Sequence, residues 1–485
     1  MVGFDGVPLH SKTLLPRAPL VQAGANGMTI AIIGLGYVGL PLCLQFARSG
    51  VRVLGLDIDA KKVRALNAGH SYIQHIPAGE IKKLVRAGKF SATTDFSKIA
   101  GEASGSRRRR GAESQTKKFL EPPHVGSYSG KIEAILICVP TPLKKSRVPD
   151  LSFVLQTGKS IAAHLQPGQL VVLESTTYPG TTENELRAVL ERGSGLKAGK
   201  DFHLAFSPER EDPGNPRSKV AEIPKVIGGY TPACLAAAKK VYSRAIRHLV
   251  PVANCRTAEA AKLLENVFRG VNIALVNELK GVYAAMDIDI WDVIAAARTK
   301  PFGFMPFYPG PGLGGHCIPI DPFYLAWKAK QVGQETRFVE LAGEINRAMP
   351  ERVVTRVVKA LAAQKKELRG ARVLVLGLAY KANVEDDRES PSYRLLDVLA
   401  ARGADVAYHD PHVPIIKPTR EHPHWTGTKS VKWSRRTIAV FDAVLIATAH
   451  GAVNYQELAE WARLIVDTRN VMAGIKTADG KVWKA

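Results

Sequence analysis

The clearest indication of the fold is TIAIIGLGYVGLPLCLQFARSGVRVLGLD, residues Thr29–Asp57. A short apolar run is followed by the glycine turn GLGYVG, and the turn opens a segment with helical spacing. A second apolar run then ends in an acid, Asp57. A strand, a turn, a helix and a second strand in this order are typical of a βαβ unit in a parallel sheet.

The glycine turn predicts a binding site for a dinucleotide. Gly34 would allow the tight turn, Gly36 would let a pyrophosphate approach the backbone, and Gly39 would let the helix pack closely on the strand. The helix N-terminus offers N–H groups and a favourable dipole to an anion. Asp57 would accept a hydrogen bond from a ribose 2′-hydroxyl and repel a 2′-phosphate, so we expect NAD as the cofactor. The alternative is a glycine turn that serves packing alone.

The same alternation continues along the chain. AILICVP, LVVLEST and HLAFSPE are further strand candidates, with helical patterns between them. Residues Thr257–Met286 contain no proline and predict one long helix. Near Arg372 the pattern starts again with ARVLVLGLAYK, followed by DVAYHDP, AVLIATAH and LIVDTRN. We therefore predict an α/β fold in which two Rossmann-like parallel-sheet domains are joined by a long central helix and a helical middle segment.

Composition shifts suggest where the domains begin and end. We expect a disordered extension over 1–27, a first Rossmann domain over 28–235, a central helical domain over 236–348 and a second Rossmann-like domain over 349–485. Residues 101–129 are polar, rich in glycine, serine and charge, and include the run Arg107–Arg110. This composition predicts a mobile surface insertion within the first domain.

The overall charge narrows the possible partners. The chain of 485 residues has a formal net charge of +23, and apart from Arg107–Arg110 its basic residues are spread along the sequence. We interpret this as a solvated basic surface that would steer anionic small molecules, with nucleic-acid binding as the less favoured alternative. Glycines and Pro41 interrupt the longest charge-free segment, so we expect no membrane span.

The cysteines point to a reducing compartment. The five cysteines include no CxxC pair, which argues against a disulfide scaffold or a cysteine-rich zinc site and fits the cytoplasm. Histidines do not cluster at metal-ligand spacing, and neither HExxH, GxSxG nor a P-loop is present. Nothing in the sequence therefore calls for a metal.

One cysteine lies in an unusual loop. The stretch GPGLGGHCIPIDP, Gly310–Pro322, places Cys317 among glycines, where a substrate could approach a thiol closely. Cysteine is a nucleophile that adds to carbonyl groups, and Asp321 could act as a base or orient a water molecule. The alternative is a small buried apolar cysteine. The other four cysteines lie in helical or strand patterns and are expected in the core.

Two further segments carry charged candidates. Lys262, Asn266 and Arg269 share one face of the predicted long helix and could gather at an oxyanion, or form a solvated polar stripe. FSPER ends a strand with Glu209 and Arg210, where open α/β sheets bind ligands, although a strand-ending salt bridge is the alternative.

A third segment, LAYKANVEDDRESPS, follows the first strand of the second half. Lys381 and Arg388 stand where a phosphate-bearing ligand would lie in such a domain.

Together these residues resemble the UDP-glucose/GDP-mannose dehydrogenase family. The resemblance runs from about Met28 to the C-terminus, interrupted at 101–129, and rests on GLGYVGLPL, CVPTPL, ESTTYPGTTE, FSPER, EAAKLLEN, GPGLGGHCIPIDP and YKANVEDDRESPS in this order. It implies that the C6 alcohol of a nucleotide sugar is oxidised twice to a carboxylate with two NAD⁺. It also implies that residues 349–485 bind the UDP-sugar.

The resemblance assigns catalytic roles by position. Cys317 looks like the nucleophile that forms a thiohemiacetal and then a thioester, which water hydrolyses. Lys262 looks like the residue that stabilises the oxyanion, with Asn266 beside it. Asp321 looks like the residue that orders water or shuttles protons, and Glu209 like a helper in thioester hydrolysis.

The resemblance also implies ligand contacts. NAD contacts are expected at Gly34, Gly36, Tyr37, Val38, Gly39, Asp57, Lys62, Thr141 and Thr176. Contacts with the nucleotide sugar are expected at Arg210, Arg269, Tyr308, Gly315, Lys381 and Arg388.

Two residues of the thiol loop bear on the substrate. Ile320 stands where UDP-glucose dehydrogenases usually have a lysine, and His316 precedes the cysteine, which is similar to the branch acting on UDP-N-acetylhexosamines. UDP-N-acetylglucosamine or UDP-N-acetylmannosamine is therefore the expected substrate, for polysaccharide biosynthesis, with UDP-glucose as the alternative. A catalytically silent nucleotide-sugar or nucleic-acid binder is the alternative of another class. We expect a homodimer or a higher homo-oligomer.

Overall fold

The computed structural model describes residues 27–73, 76–101, 131–144, 146, 148–211, 220–315, 317–419 and 421–485. The expected disordered extension and mobile insertion fall outside the described residues, except for their end residues Gly27 and Gly101, and so does His316. The chain divides into two compact units, one ending at Leu263 and one spanning Leu264–Ala485.

The first unit is built on a sheet that comprises eight strands in the described part of the chain. In spatial order they run β3-β2-β1-β4-β5-β6-β7-β8, and every neighbouring pair is parallel except β6 and β7. Positions along β1, β4 and β5 are all buried, as expected for a parallel sheet covered on both faces. The strands are β1 Thr29–Ile33, β2 Arg52–Leu56, β3 Phe90–Thr93, β4 Ala134–Ile137, β5 Leu170–Leu173, β6 His203–Phe206, β7 Lys225–Gly229 and β8 Leu249–Val252.

Helices cover this sheet, and short polar side chains cap the first turns of two of them, α2 and α6. Asp59 accepts a hydrogen bond from the N–H of Lys61, and Thr231 accepts one from Cys234 ahead of a helix that begins with Pro232. The helices are α1 Gly39–Arg48, α2 Ala60–Asn67, α3 Ala78–Arg86, α4 Ser152–Ala162, α5 Arg187–Ser194 and α6 Pro232–Tyr242, with a 3₁₀ turn at Phe96–Ala100 and a π-helical turn at Thr182–Leu186.

The predicted long helix is present as α7, Cys255–Ala285, which begins in the first unit and continues into the second. Three more helices follow it: α8 Ile290–Ala297, α9 Asp321–Gln331 and α10 Arg337–Ala363. A buried amide pair joins α7 to α10, because Asn277 Nδ2 donates to Asn346 Oδ1 over 2.9 Å. Asn346 Nδ2 donates in turn to the carbonyl of Gly270, and Asn277 Oδ1 accepts from the N–H of Gly310. These hydrogen bonds fix the start of the thiol loop against α7.

A second parallel sheet closes the chain, in the order β10-β9-β11-β12-β13. Its strands are β9 Arg372–Leu376, β10 Asp405–His409, β11 Ala443–Ile446, β12 Ile465–Asp467 and β13 Val482–Lys484, and its helices are α11 Pro391–Ala401, α12 Arg435–Ile438 and α13 Tyr455–Trp461, with a 3₁₀ turn at Pro423–Trp425. The predicted α/β fold with two Rossmann-like parallel sheets is confirmed.

Several elements were not anticipated. The strand β7 ends in Gly228 and Gly229, and β8 contains Pro251, so neither has the composition of a buried strand. The two glycines are needed because a Cβ at either position would overlap the backbone of Asn254 or Leu235. The strand β8 still belongs to the first sheet, although it lies past residue 235, where we expected the first domain to end. Among the described residues, no helix is long and apolar enough to cross a membrane.

The amide pair between α7 and α10 yields a stability prediction. Asn346→Ala would remove the hydrogen-bond partner of Asn277 Nδ2 and of the carbonyl of Gly270, and both groups are buried. A buried polar group that loses its partner costs about 1–3 kcal/mol. We expect the free energy of unfolding in urea to fall by at least about 1 kcal/mol, measured by circular dichroism. Glu344→Ala, at an exposed position of the same helix, is the control and should change stability little. Equal effects of the two substitutions would contradict this prediction.

Candidate active site

The turn between β1 and α1 leaves no room for side chains at two of its glycines. Gly34 has a φ of +91°, and a Cβ there would lie 2.5 Å from the carbonyl oxygen of Cys138. A Cβ on Gly39 would overlap the carbonyl of Gly34, whereas one on Gly36 would meet open space. The backbone around Gly36 is therefore the part of this turn that a ligand can approach.

Asp57 is held in place by this turn. Its Oδ2 accepts from the N–H of Leu35 over 2.9 Å, and its Oδ1 accepts from the N–H of Asp59 over 2.9 Å. Lys62 Nζ lies 3.6 Å from Oδ2, and the hydroxyl of Tyr72 donates to the carbonyl of Leu35. Each carboxylate oxygen has two lone pairs, so both can accept a further hydrogen bond from a ribose.

The other expected NAD contacts of the first unit lie at the same edge of the sheet. Tyr37 and Val38 follow β1, Thr141 follows β4 and Thr176 follows β5, and these three strands are neighbours. The carboxyl ends of parallel strands share one edge, where open α/β sheets bind ligands. Thr177, next to Thr176, has a fully buried hydroxyl that has no hydrogen-bond partner among the described residues. The chain thus provides, at one edge, the glycine turn, the acid and the polar groups that a dinucleotide needs.

A buried ionic network lies beside Glu209. Lys225 Nζ is 2.6 Å from Glu174 Oε2 and 3.2 Å from Glu209 Oε2. The hydroxyl of Tyr242 donates to the other oxygen of Glu174. Only 6% of the Lys225 side chain and none of the Glu174 side chain is exposed, so this cation serves the two carboxylates and not solvent.

The network favours the ionised form of Glu209. Burial opposes ionisation, but the charge of Lys225 and hydrogen bonds from the N–H groups of Glu211 and Arg210 lower the pKa of Glu209 below its usual value. Burial raises the pKa of Glu174, against the opposing charge of Lys225. Arg210, expected at the substrate, donates from Nη1 to the carbonyl of Pro224 over 2.8 Å.

The sequence did not single out Glu174, Lys225 or Tyr242. Glu174 could have been noticed, since it ends the apolar run LVVLE two residues before Thr176. Lys225 begins β7, which the sequence did not predict, and Tyr242 ends α6. Nothing in the sequence indicates that these two residues face the same carboxylate.

The thiol loop of the second unit turns sharply into α9. The carbonyl of Cys317 accepts from the N–H of Asp321 over 2.8 Å and from the N–H of Ile320 over 3.1 Å. Asp321 opens α9 and is 3% exposed, and its Oδ2 accepts from Asn266 Nδ2 over 2.6 Å. The structure therefore joins Asn266 and Asp321 directly, and places the backbone of Cys317 against that of Asp321.

Cys317 differs from the other four cysteines in its exposure. Cys317 is exposed, whereas Cys43, Cys138, Cys234 and Cys255 are buried. Burial raises the pKa of Cys43, Cys138 and Cys255 above the usual value for a thiol. A thiol with a raised pKa is a poor nucleophile at neutral pH, so these positions are suited to packing and Cys317 to chemistry.

Two glycines of the thiol loop are required by packing. Gly315 has a φ of +83°, and a Cβ there would lie 2.8 Å from the ring of Tyr380. A Cβ on Gly314 would lie 2.8 Å from Pro391 Cδ. The loop is thus pressed against the segment between β9 and α11, which only glycine permits at these two positions.

The remaining expected site residues differ in their burial and in the side chains that they contact. Lys262 is half-buried on α7 and lies four residues before Asn266, while Arg269 is exposed. Tyr308 stacks on Trp291 with ring centroids 5.6 Å apart. Lys381 is half-buried, and Arg388 forms a bidentate contact with Asp386, with distances of 2.8 and 2.6 Å. The role of Lys262 at an oxyanion remains a prediction. Contact with a nucleotide sugar also remains a prediction for Arg269, Tyr308, Lys381 and Arg388.

Three domains of one protein family match most of the chain. The NAD-binding domain of the UDP-glucose/GDP-mannose dehydrogenase family matches residues 28–104 and 115–246, its central domain 256–348 and its UDP-binding domain 374–474. The interruption in the first match, between residues 104 and 115, is narrower than the segment 101–129 that we set aside from the sequence.

Curated relatives agree with this assignment. The chain is 32% identical to the UDP-N-acetyl-D-glucosamine 6-dehydrogenase of Pseudomonas aeruginosa, over 92% of this chain and 97% of the relative. It is 31% identical to the UDP-N-acetyl-D-mannosamine dehydrogenase of Pyrococcus horikoshii, over 92% of this chain and 96% of the relative.

Solved structures include proteins with the same arrangement of elements. The structure of the UDP-D-ManNAc dehydrogenase from Pyrococcus horikoshii has a TM-score of 0.79 and 29% identity, covering 94% of this chain and 99% of that one. A UDP-glucose dehydrogenase from Pyrobaculum islandicum has a TM-score of 0.76 and 26% identity, covering 96% and 99%. With the glycine turn and Asp57 at one sheet edge, these matches lead to one conclusion. The chain belongs to the UDP-glucose/GDP-mannose dehydrogenase family and is an NAD-dependent nucleotide-sugar dehydrogenase.

Proposed function

We propose that the chain oxidises the C6 alcohol of a UDP-N-acetylhexosamine, with an N-acetylglucosamine or N-acetylmannosamine sugar, to a carboxylate in two steps. The observation that carries the proposal is the exposed Cys317 ahead of α9, next to the buried pair Asp321 and Asn266. Relatives named for these two sugars, at 31–32% identity over 92% of the chain, support the substrate class, as does Ile320 in place of a lysine.

The turn Gly34–Gly39 and Asp57 would hold NAD⁺, which would accept one hydride in each of the two oxidations. The first oxidation converts the C6 alcohol to an aldehyde. Cys317 Sγ then forms a bond to C6, and the carbonyl oxygen becomes an oxyanion of a tetrahedral thiohemiacetal. Lys262 is the cation we assign to this oxyanion.

Loss of the remaining C6 hydride converts the thiohemiacetal to a thioester. Water adds to the thioester carbon and the C–S bond breaks. This regenerates the thiolate of Cys317 and releases the carboxylate product. Asp321 orders this water molecule or accepts a proton from it. Asn266 Nδ2 holds Asp321 in place by donating to Asp321 Oδ2. Glu209 assists hydrolysis as a carboxylate, a form that Lys225 favours.

UDP-glucose is the second candidate substrate. The likeness to a solved UDP-glucose dehydrogenase from Pyrobaculum islandicum, at 26% identity, supports it. The alternative of a catalytically silent binder is less well supported, because Cys317, Lys262 and Asp321 are all present. We further propose a cytoplasmic location and a homo-oligomer, the first because none of the five cysteines is in a disulfide.

A panel of UDP-sugars tests the substrate. With NAD⁺ in excess, a UDP-N-acetylhexosamine should be consumed with about two NADH formed per sugar, because each oxidation removes one hydride. Absorbance of NADH and mass spectrometry of the product measure the ratio and the acid. UDP-glucose is tested in parallel. If the protein oxidises UDP-glucose faster than the UDP-N-acetylhexosamines, UDP-glucose is the substrate and our proposal is wrong. A yield of one NADH per sugar would contradict the two-step reaction.

Replacement of Cys317 tests the nucleophile. Cys317→Ser should lower kcat at least about 10³-fold, because the hydroxyl is a far weaker nucleophile than the thiolate. NADH formation under saturating UDP-sugar and NAD⁺ measures it. Cys234→Ser, at a buried cysteine on α6, is the control and should retain most of the activity. Full turnover by Cys317→Ser would refute covalent catalysis.

Replacement of Lys225 tests the role of the buried network. Glu209 has its pKa lowered by Lys225, so in the native protein its carboxylate is lost only at low pH. Lys225→Met removes the cation that favours the carboxylate, so the pKa of Glu209 should rise. The acidic limb of the kcat–pH profile should therefore move to higher pH.

Lys240→Met, at an exposed lysine of α6, is the control and should leave the kcat–pH profile in place. Circular dichroism must confirm that Lys225→Met is folded, since removing one partner of a buried ion pair can cost about 3–5 kcal/mol. An acidic limb that does not move in the folded Lys225→Met variant would exclude this role of Glu209.

A further inference from the structure

Three side chains of the kinds that bind metal ions lie close together in the second unit. None of the three is assigned to the reaction. Asp397 lies on α11, and His422 and His424 flank Pro423 at the start of the 3₁₀ turn. One ligand atom from each of the three residues lies within 4.8 Å of the others. His422 Nδ1 is 2.8 Å from Asp397 Oδ2, and His424 Nε2 is 2.8 Å from Asp397 Oδ1.

One imidazole nitrogen of His422 lies against the carboxylate of Asp397. His422 Nδ1 is buried from solvent and 2.8 Å from Asp397 Oδ2, but within the described part of the chain it forms no hydrogen bond. A buried polar atom without a partner is costly, and such atoms are uncommon in native structures. A cation bound by both the imidazole nitrogen and the carboxylate would satisfy them together.

Neighbouring side chains fix the orientation of the ligands. Trp425 Nε1 donates to Asp397 Oδ1 over 2.8 Å. The ring of Tyr393 stacks on His422, with centroids 5.1 Å apart and planes 11° apart, and its hydroxyl donates to Asp387. Hydrogen bonds to a ligating carboxylate and packing against a ligating imidazole are the supports that metal ligands have in proteins.

We propose that Asp397, His422 and His424 form a binding site for a divalent transition-metal ion, of which zinc fits best. Two imidazole nitrogens and one carboxylate suit zinc, whereas magnesium and calcium prefer ligands that are all oxygen. The His424 side chain is 58% exposed, so water can fill the remaining coordination position. The bound ion would link α11, through Asp397, to the turn Pro423–Trp425.

The sequence alone did not suggest this site. His422 and His424 are separated by one residue, but the third ligand lies 25 residues earlier, on a helix. Only the folded chain brings the carboxylate of Asp397 between the two imidazoles. A search of the sequence for ligands at short spacings therefore does not detect this cluster.

Zinc titration tests the proposal. The chain should be free of any histidine tag and carry Cys317→Ser, since an exposed thiol binds zinc by itself. Isothermal titration calorimetry should then give about one zinc ion per chain, and magnesium should give none. His424→Gln and Asp397→Asn should each weaken zinc binding at least about 10-fold, and Trp425→Phe about 10-fold through loss of its hydrogen bond to Asp397.

His70→Ala, at an exposed histidine of the first unit, is the matched control and should bind zinc as before. Zinc should also raise the melting temperature of the Cys317→Ser chain but not that of the chain with Asp397→Asn added. His424→Gln changes an exposed side chain, so it keeps the test valid if Asp397→Asn does not fold. Absence of zinc binding, or equal binding by the parent and the folded His424→Gln chain, would overturn the proposal.

Discussion

The close approach of α1 to β1 is the constraint on which the rest of the first unit depends. Gly39 must lie against the carbonyl of Gly34, and Gly34 against that of Cys138, so the helix can begin only where no side chain intervenes. This fit places the N-terminus of α1 at the carboxyl edge of the sheet and brings the N–H of Leu35 to the carboxylate of Asp57. Parallel strands buried on both faces leave their ends as the place for polar groups, so cofactor chemistry gathers there.

Buried partners prepare the proposed catalytic groups in both units. In the first, Lys225 holds the carboxylate of Glu209 while also pairing with Glu174. In the second, Asn266 holds Asp321 through a hydrogen bond of 2.6 Å. Each arrangement restricts the orientation of a carboxylate before a substrate arrives, which is how a site avoids reorganisation during the reaction.

Sequence patterns predicted the short, continuously apolar strands and the long helix α7, because periodicity reflects burial directly. They missed β7 and β8, in which glycines and a proline conceal the strand. They also suggested that glycines of the thiol loop give a substrate access to Cys317, whereas Gly315 and Gly314 are required by the approach of Tyr380 and Pro391. Local composition reports turns and burial, but it does not report which distant element will press against a loop.

The family, the dinucleotide turn and Cys317 as the distinctive thiol could all be recognised from the amino-acid sequence, because these depend on residue types at short, ordered spacings. The folded chain alone reveals that Lys225 pairs with both Glu174 and Glu209, and that Asp397 lies between two histidines. Such pairings join residues 16 to 51 positions apart, and at these separations sequence spacing carries no information about distance. Strand order and helix packing bring them together, and these are properties of the folded chain.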